Sequence, residues 1–170
     1  MRVREAVQAI SGTIGAQAEL LLPVIAFVVP FLVSGPQWLT GTLVNSFLFL
    51  AAIKLSERTV WLVVILPSIG ALFHGVLFGK FTPFLAFFLP FIWIGNLLLA
   101  RSFLLFAESM PSALAVVLSS LLKAGVLYLS ALVYFRLQWV PAPFLVSMGV
   151  IQLTTALLGG WLSLVLLRFL

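Results

Sequence analysis

Residues 112–135 read SALAVVLSSLLKAGVLYLSALVYF and contain a single charged side chain, Lys123. A helix of about 20 apolar residues is long enough to cross the hydrocarbon core of a bilayer. A surface helix of a water-soluble protein would instead carry a polar face along its length. The stretch therefore predicts a membrane-spanning helix.

Five further apolar runs flank this stretch, separated by short charged or Pro/Gly-rich breaks. They cover approximately residues 20–34, 38–53, 59–79, 83–100 and 144–167. Across the chain 64% of the residues are hydrophobic, 8% are charged, and the mean hydropathy is +1.29. Such a composition places most of the surface against lipid. We predict an all-α fold, a polytopic bundle of six transmembrane helices that forms one integral membrane domain over residues 1–170.

The basic residues are unevenly divided between the two sides of this predicted bundle. With the N-terminus inside, the inner side holds Arg2, Arg4, Lys54, Arg58, Arg101 and Arg168, and the outer side holds Lys80 and Arg136. The positive-inside rule then predicts that both termini are cytoplasmic. The run at 38–53 is short for a straight span, and a re-entrant second segment would weaken this bias. We interpret 20–34 as a retained first span rather than a signal peptide.

The chain offers few of the residues that catalysis requires. It has no cysteine, one histidine and four acidic residues, which excludes a thiolate nucleophile and a Cys-ligated metal site. We find no nucleophile–base pair, P-loop or dinucleotide fingerprint, and six spans leave no room for a soluble catalytic domain. We therefore predict that the protein is not an enzyme, uses no cofactor or metal and binds no nucleic acid.

Lys123 is the most informative single residue. Ser112, Ser119, Lys123 and Ser130 are spaced so that they lie on one stripe of the fifth helix. A cation near the middle of a membrane costs at least about 2.5–3.5 kcal/mol on insertion scales, so it should face the interior and find an acceptor. Two interpretations remain open: contact with an anionic or polar ligand, or a structural lysine bonded within the protein.

Other polar side chains are predicted at a similar depth. Asn45, Asn96 and Gln152 lie near the middle of the second, fourth and sixth runs. Together with Lys123 they indicate either a polar layer that forms the floor of a site or amides that join helices by hydrogen bonds. Trp93 could stack on a ligand ring or pack in the core.

The sixth run carries a small, polar face. Gln152, Thr155, Gly159 and Ser163 follow helical spacing, and small residues let helix backbones approach closely within a membrane. This face predicts close packing of the sixth helix against a neighbour.

Several segments together resemble the S components of energy-coupling factor (ECF) transporters. They are SGTIGAQA (11–18), LAAIKLSER (50–58), LPSIGALFHGVLFGKFTP (66–83), LPFIWIGN (89–96) and VIQLTTALLGGWLSLVLLRF (150–169). The resemblance implies a small substrate-binding membrane subunit of six helices in a prokaryotic plasma membrane. It would capture a vitamin-like or micronutrient solute, and a transmembrane coupling subunit and two cytosolic ATPases would supply the energy.

The resemblance also implies two sites. The ligand would sit in the outer half of the bundle, where the candidate residues are Gln37, Trp38, His74, Lys80, Trp93, Asn96, Lys123, Gln138, Trp139 and Gln152. The coupling subunit would dock on a face of the first helix formed by Ser11, Gly12, Gly15 and Ala16, where the family has an AxxxA-type pattern. The alternative is a small membrane scaffold or accessory subunit without a ligand of its own.

Overall fold

The computed structural model describes residues 13–33, 36–75 and 79–169, and every regular element within these ranges is helical. Three helices come first: α1 (Thr13–Leu32), α2 (Gln37–Lys54) and α3 (Glu57–His74). A 3-10 helix (Gly79–Phe84) then leads into α4 (Leu85–Ser109), α5 (Ser112–Arg136), α6 (Pro143–Met148) and α7 (Val150–Leu166). The all-α prediction is confirmed.

Helix α4 is longer than the sequence analysis predicted. The expected end near residue 100 was wrong, because the helix continues through Arg101 to Ser109 and contains 25 residues. Arg101 is a good helix former, and its guanidinium donates to Glu57 Oε1 at 2.5 Å on the surface of the bundle. A charged residue beside an apolar run therefore does not end this helix.

Helix α3 is shorter than predicted and ends at a glycine. The apolar run was expected to continue to residue 79, but the helix ends at His74 because Gly75 has a φ of 76°. Glycine adopts this left-handed conformation without steric penalty and commonly ends helices in this way.

The sixth apolar run is divided into two helices at Gly149. This residue has φ −99° and ψ −95° and separates α6 from α7. A Cβ atom at this position would lie 2.7 Å from the Leu145 carbonyl oxygen and 2.9 Å from Tyr128 Cδ2. Only a residue without a side chain fits here, so the break is built into the sequence.

Four helical segments are long and apolar enough to cross a membrane, judged by length and composition. They are Glu57–His74, Phe81–Ser109, Ser112–Arg136 and Pro143–Leu166. At 1.5 Å per residue, a helix of 25 residues such as α5 spans about 38 Å, more than the roughly 30 Å of a hydrocarbon core. Helices α1 and α2 pack with these segments in the same bundle. The fold is thus that of a multi-pass membrane protein.

Contacts between helices define the two ends of the bundle. At the start of α2, Gln37 Nε2 donates to the carbonyl oxygen of Ser147, near the end of α6, at 3.3 Å. Further along, Asn45 Nδ2 donates to Thr155 Oγ1 of α7 at 3.2 Å. Helix α2 therefore runs parallel to the α6–α7 rod. Glu19, near the start of α1, accepts hydrogen bonds from the backbone and side chain of Ser56.

The first residues of α1 and the last residues of α2 and α7 therefore lie at the same end of the bundle. We call it the Ser56 end. The opposite end, where α2 and α6 begin, is called the Gln37 end. These names describe the arrangement of the helices only, and the side of the membrane that each end faces is a separate question.

Two apolar cores stabilise the bundle, with polar side chains between them. Along α4, Asn96 lies between Phe88 and Phe103. The Phe88 ring stacks on Phe144 at a centroid distance of 5.0 Å, and the Phe103 ring meets Phe49 edge-on at a centroid distance of 5.0 Å. Phe103 and Phe49 belong to the core nearer the Ser56 end, and Phe88 and Phe144 to the core nearer the Gln37 end. The polar layer therefore lies inside the bundle rather than at its rim.

Candidate functional site

A cavity of about 70 Å³ lies between the helices, within the half of the bundle nearest the Gln37 end. Its polar lining consists of Gln37, Thr40, Asn45, Ser68, Asn96, Lys123 and Gln152, and its apolar lining includes Pro30, Val44, Pro67, Ala71, Leu85, Ile92 and Met148. The volume is large enough for a small cluster of waters. It is smaller than the roughly 300–1,000 Å³ of pockets that enclose drug-sized ligands.

Lys123 belongs to the polar stripe that the sequence predicts on α5, and it lines the cavity. Ser119, Lys123 and Ser130 are buried and Ser112, at the start of α5, is partly exposed, so the stripe faces the interior from Ser119 onward. Opposite the stripe, α4 carries Gly95, and a Cβ there would lie 3.4 Å from Lys123 Cγ. The small residue at position 95 leaves the space along which the lysine stem runs.

The Lys123 ammonium donates to Asn45 Oδ1 at 2.5 Å. Lys123 is 2% exposed and Asn45 is 1% exposed. Within the described ranges, this is the one hydrogen bond that the ammonium makes, although a lysine can donate three. Two N–H groups of Lys123 are therefore available to a ligand or to water.

Asn45 connects three helices. It accepts from Lys123 on α5, and its Nδ2 group donates to the Gly41 carbonyl oxygen at 2.9 Å and to Thr155 Oγ1 on α7 at 3.2 Å. The orientation of the amide is fixed by these contacts, because a flipped amide would place two donors opposite each other at Lys123. The network holds Lys123 at the wall of the cavity.

Two polar atoms at the cavity have no partner among the described residues. Asn96 donates through Nδ2 to the Val64 carbonyl oxygen at 2.9 Å, which leaves its Oδ1 atom buried and unpaired. Thr40 Oγ1 is also buried and unpaired. Most buried polar atoms in proteins do have a partner, so Asn96 and Thr40, which both line the cavity, each carry a polar atom that no described residue satisfies.

The one ionisable side chain that the structure describes in the lining of the cavity is basic. Lys123 is the one basic side chain among the described residues that line it, and none of those residues is acidic. Two acidic residues of the described chain have partners at the Ser56 end: Glu19 accepts a hydrogen bond from Ser56, and Glu57 forms an ion pair with Arg101. The counter-charge for Lys123 therefore does not come from the lining of the cavity.

Four of the predicted site residues line this one cavity: Gln37, Asn96, Lys123 and Gln152. They come from α2, α4, α5 and α7, and Asn45 joins them as the polar layer predicted. The Gln37 amide donates to the Ser147 carbonyl oxygen at 3.3 Å. This contact connects the start of α2 to α6.

Trp93 contributes to the site indirectly. It is absent from the lining, but its indole Nε1 donates to Ser68 Oγ at 2.8 Å, and Ser68 does line the cavity. Ser68 Oγ in turn donates to the Ile65 carbonyl oxygen at 2.9 Å. Trp93 also packs against the apolar core nearer the Ser56 end, as one of its two interpretations predicts.

The remaining predicted residues lie elsewhere at the Gln37 end. Gln138 and Trp139 line a separate, open groove of about 590 Å³ together with Phe81, Phe84 and Arg136. His74 meets the Phe31 ring edge-on at a centroid distance of 6.4 Å, and Trp38 is 56% exposed. The structure does not describe the side chain of Lys80. These residues and the four in the cavity do not form one site.

The predicted docking face on the first helix falls largely outside the described part of the chain. Ser11 and Gly12 precede the described residues, and for Gly15 and Ala16 the structure describes the helical backbone alone. The docking of a coupling subunit there stays a prediction.

Two residues that line the cavity, Thr40 and Ser68, were not predicted from the sequence. Thr40 lies three residues after Gln37, on the same face of α2, so helical spacing from Gln37 could have identified it. Ser68 is next to Pro67 in α3, and no sequence signal connects it to Trp93, which is 25 residues away. Among the described residues, no group of three or more histidine, aspartate and glutamate side chains that could hold a metal ion lies together.

The arrangement can bind a small polar solute by complementary hydrogen bonds. It offers an ammonium donor at Lys123, an acceptor at Asn96 Oδ1 and a hydroxyl at Thr40 that can do either. Comparisons of the chain with protein-family models, with curated proteins and with solved structures find no match. The chemistry of this cavity is therefore the feature that indicates a function.

Proposed function

We propose that the protein is the membrane-embedded substrate-capture subunit of a small-solute uptake transporter, and that the solute binds in the polar cavity. The observation that carries this proposal is the pair of unpartnered polar atoms, Asn96 Oδ1 and Thr40 Oγ1, at a cavity that also contains the Lys123 ammonium. A buried polar atom without a partner costs about 1–3 kcal/mol. A bound solute would supply the missing hydrogen bonds.

The proposal includes six membrane crossings with both termini in the cytoplasm of a prokaryotic cell. Helix α2 supports this topology, since its 18 residues span about 27 Å and it runs parallel to the α6–α7 rod. A re-entrant segment would have to return to the side on which it started. With this topology the Gln37 end faces outward, and the cavity lies in the outer half of the bundle.

Energy would come from partner proteins. We propose a transmembrane coupling subunit and two cytosolic ATPases, as the resemblance to ECF S components implies. A face of α1 that includes Gly15 and Ala16 is the proposed docking surface, and the solute is proposed to be of the vitamin or micronutrient type.

A solute of more than a few atoms requires the cavity to expand. The break at Gly149 and the 3.3 Å contact between Gln37 and Ser147 lie beside it. We propose that α6 moves about Gly149 when the solute enters. This movement would carry Phe144 and Met148, which belong to the core nearer the Gln37 end, and would change the stacking of Phe144 on Phe88.

Native mass spectrometry of gently purified protein tests the proposal. We expect a small molecule to co-purify, and we expect Thr40→Val to lower its occupancy because the hydroxyl at the cavity is removed. Ser120→Ala is the matched control, since it also removes a buried, unpaired hydroxyl but lies outside the lining. Wild-type protein that carries no small molecule, even after incubation with a cell extract, would contradict the proposal.

A second candidate function is a membrane scaffold or accessory subunit without its own ligand. The observation in its favour is the cavity volume of about 70 Å³, which waters alone could fill. In that case Lys123 and Asn45 only join helices. The same experiment separates the two functions, because a scaffold would yield no bound solute and Thr40→Val would behave like Ser120→Ala.

A further inference from the structure

The lining of the cavity contains an unbalanced positive group. Lys123 is 2% exposed, its one hydrogen-bond partner in the described ranges is the neutral Asn45 amide, and no acidic residue lines the cavity with it. A buried charge is unfavourable unless it is paired. An anion in the cavity would provide the pairing that the described residues do not provide.

A second residue in the lining of the cavity, Asn96 on α4, requires a donor. Asn96 Oδ1 can only accept hydrogen bonds, and its amide orientation is fixed by the donation from Nδ2 to the Val64 carbonyl oxygen. A simple inorganic anion would place negative charge against this oxygen. A solute that satisfies both Lys123 and Asn96 therefore carries a negative group at one position and an N–H or O–H group at another.

The number of positive charges indicates the kind of anion. One lysine balances one negative charge, whereas a phosphate monoester carries about −1.5 to −2 at neutral pH. A carboxylate carries −1 and can accept from both of the N–H groups of Lys123 that have no partner in the described ranges. The small cavity also favours a compact molecule.

We infer that the captured solute is a compact monocarboxylate that also carries a hydroxyl or amide donor, with the carboxylate at Lys123 Nζ and the donor at Asn96 Oδ1. This inference rests on the proposed function. It assigns two roles in specificity, since Lys123 selects for charge and Asn96 rejects molecules that have no donor at the second position.

The test first determines the charge of the bound solute and then measures whether its binding depends on Lys123 and Asn96. Small molecules are released by heat from purified wild-type protein and identified by mass spectrometry. In parallel, a low-molecular-weight ultrafiltrate of the producing cells is separated on an anion-exchange resin, and the retained and unretained fractions are tested for their ability to raise the melting temperature. We expect a monocarboxylate in the first experiment and stabilisation by the retained fraction alone in the second.

Three variants extend the test. Lys123→Met removes the charge and should lower affinity for the released solute by about 10- to 150-fold, which corresponds to the loss of a charged hydrogen bond. Asn96→Asp places a carboxylate in the cavity at almost unchanged size and should abolish binding of the retained fraction; it also removes the donor to the Val64 carbonyl oxygen, so the melting temperature should fall as well. Lys54→Met is the matched control, because it removes another lysine whose Nζ atom is buried, at the Ser56 end of α2 and outside the lining of the cavity.

The outcomes distinguish this inference from the proposed function. A neutral or cationic solute in the wild-type protein, or a carboxylate that Lys123→Met binds with full affinity, would overturn the inference and leave the capture function in place. If neither heat release nor any fraction reveals a bound small molecule, both fail. Because the wild-type measurement identifies the charge by itself, the test does not depend on whether Lys123→Met folds.

Discussion

At the scale of single residues, the contact between Lys123 and Asn45 decides how the cavity is held together. The 2.5 Å hydrogen bond is buried and is part of a network that reaches Thr155. Replacing one partner leaves the other unpaired in an apolar environment, which costs more than replacing both. The same contact would also orient the ammonium toward a solute.

A double-mutant cycle measures this coupling. Asn45→Leu should lower the free energy of unfolding by about 2–3 kcal/mol, since it removes the acceptor of a buried charged group. Lys123→Met should cost about 1–3 kcal/mol because Asn45 Oδ1 then lacks a donor. We expect the free energy of unfolding of the double variant to be at least about 1 kcal/mol higher than the sum of the two single changes predicts. Reversible unfolding in detergent measures these free energies. Strict additivity would show that the two side chains do not stabilise each other.

Much of the cavity could be predicted at this scale, and the reason is the physics of the membrane. Lys123, Asn96 and Gln152 are conspicuous because polar groups at mid-depth are costly and must turn inward. Hydroxyl groups are less conspicuous, since Thr40 and Ser68 can bond within their own helix. His74, Trp38 and Trp139 were assigned by depth and topology alone, and depth does not specify which neighbour a side chain meets.

At the scale of the helices, close approach of α2 and α7 brings the polar side chains together. A Cβ atom on Gly159 would lie 2.7 Å from both the Ser46 backbone nitrogen and the Thr42 carbonyl oxygen. This contact confirms the prediction that the small face of the sixth run packs closely against a neighbour. It also keeps Thr155 within hydrogen-bond distance of Asn45.

Gly159→Ala should therefore separate α2 from α7 and destabilise the protein by about 1–3 kcal/mol, as overpacking in a core does. Gly125→Ala is the matched control, because it is also a glycine within a helix but a Cβ there meets nothing within 4 Å. The control should be neutral or stabilising by up to about 1 kcal/mol, the difference in helix propensity. Melting temperatures in detergent provide the comparison, and equal shifts for the two variants would refute the packing argument.

Helix ends were predicted less well than helix positions. Apolar runs locate the helices because lipid contact requires them, but a run does not show where the backbone changes direction. The end of α3 depends on the conformation of Gly75, and α4 continues through Arg101, a good helix former that meets Glu57 on the surface of the bundle. The break at Gly149 likewise follows from contacts with Leu145 and Tyr128 that appear only after folding.

At the scale of the whole molecule, the exterior is as informative as the interior. Large apolar side chains are exposed on several helices, among them Leu20, Val24, Leu105, Leu129 and Val150. In water such a surface would drive aggregation, whereas in a bilayer it contacts lipid. The charged contacts Glu19–Ser56 and Glu57–Arg101 both lie at the Ser56 end, where more of the basic residues are also found.

The last prediction concerns which end of the bundle faces the cytoplasm. The start of α1 and the end of α7 lie at the same end, and the basic residues of that end outnumber those of the other, so the Ser56 end should be cytoplasmic. Reporter fusions should alternate out, in, out, in, out, in when placed at Pro36, Ser56, Lys80, Glu108, Trp139 and the C-terminus. As a control, Lys54→Gln with Arg58→Gln should weaken the preference without changing the pattern of alternation. A C-terminus found outside would refute the topology, and with it the placement of the cavity in the outer half of the membrane.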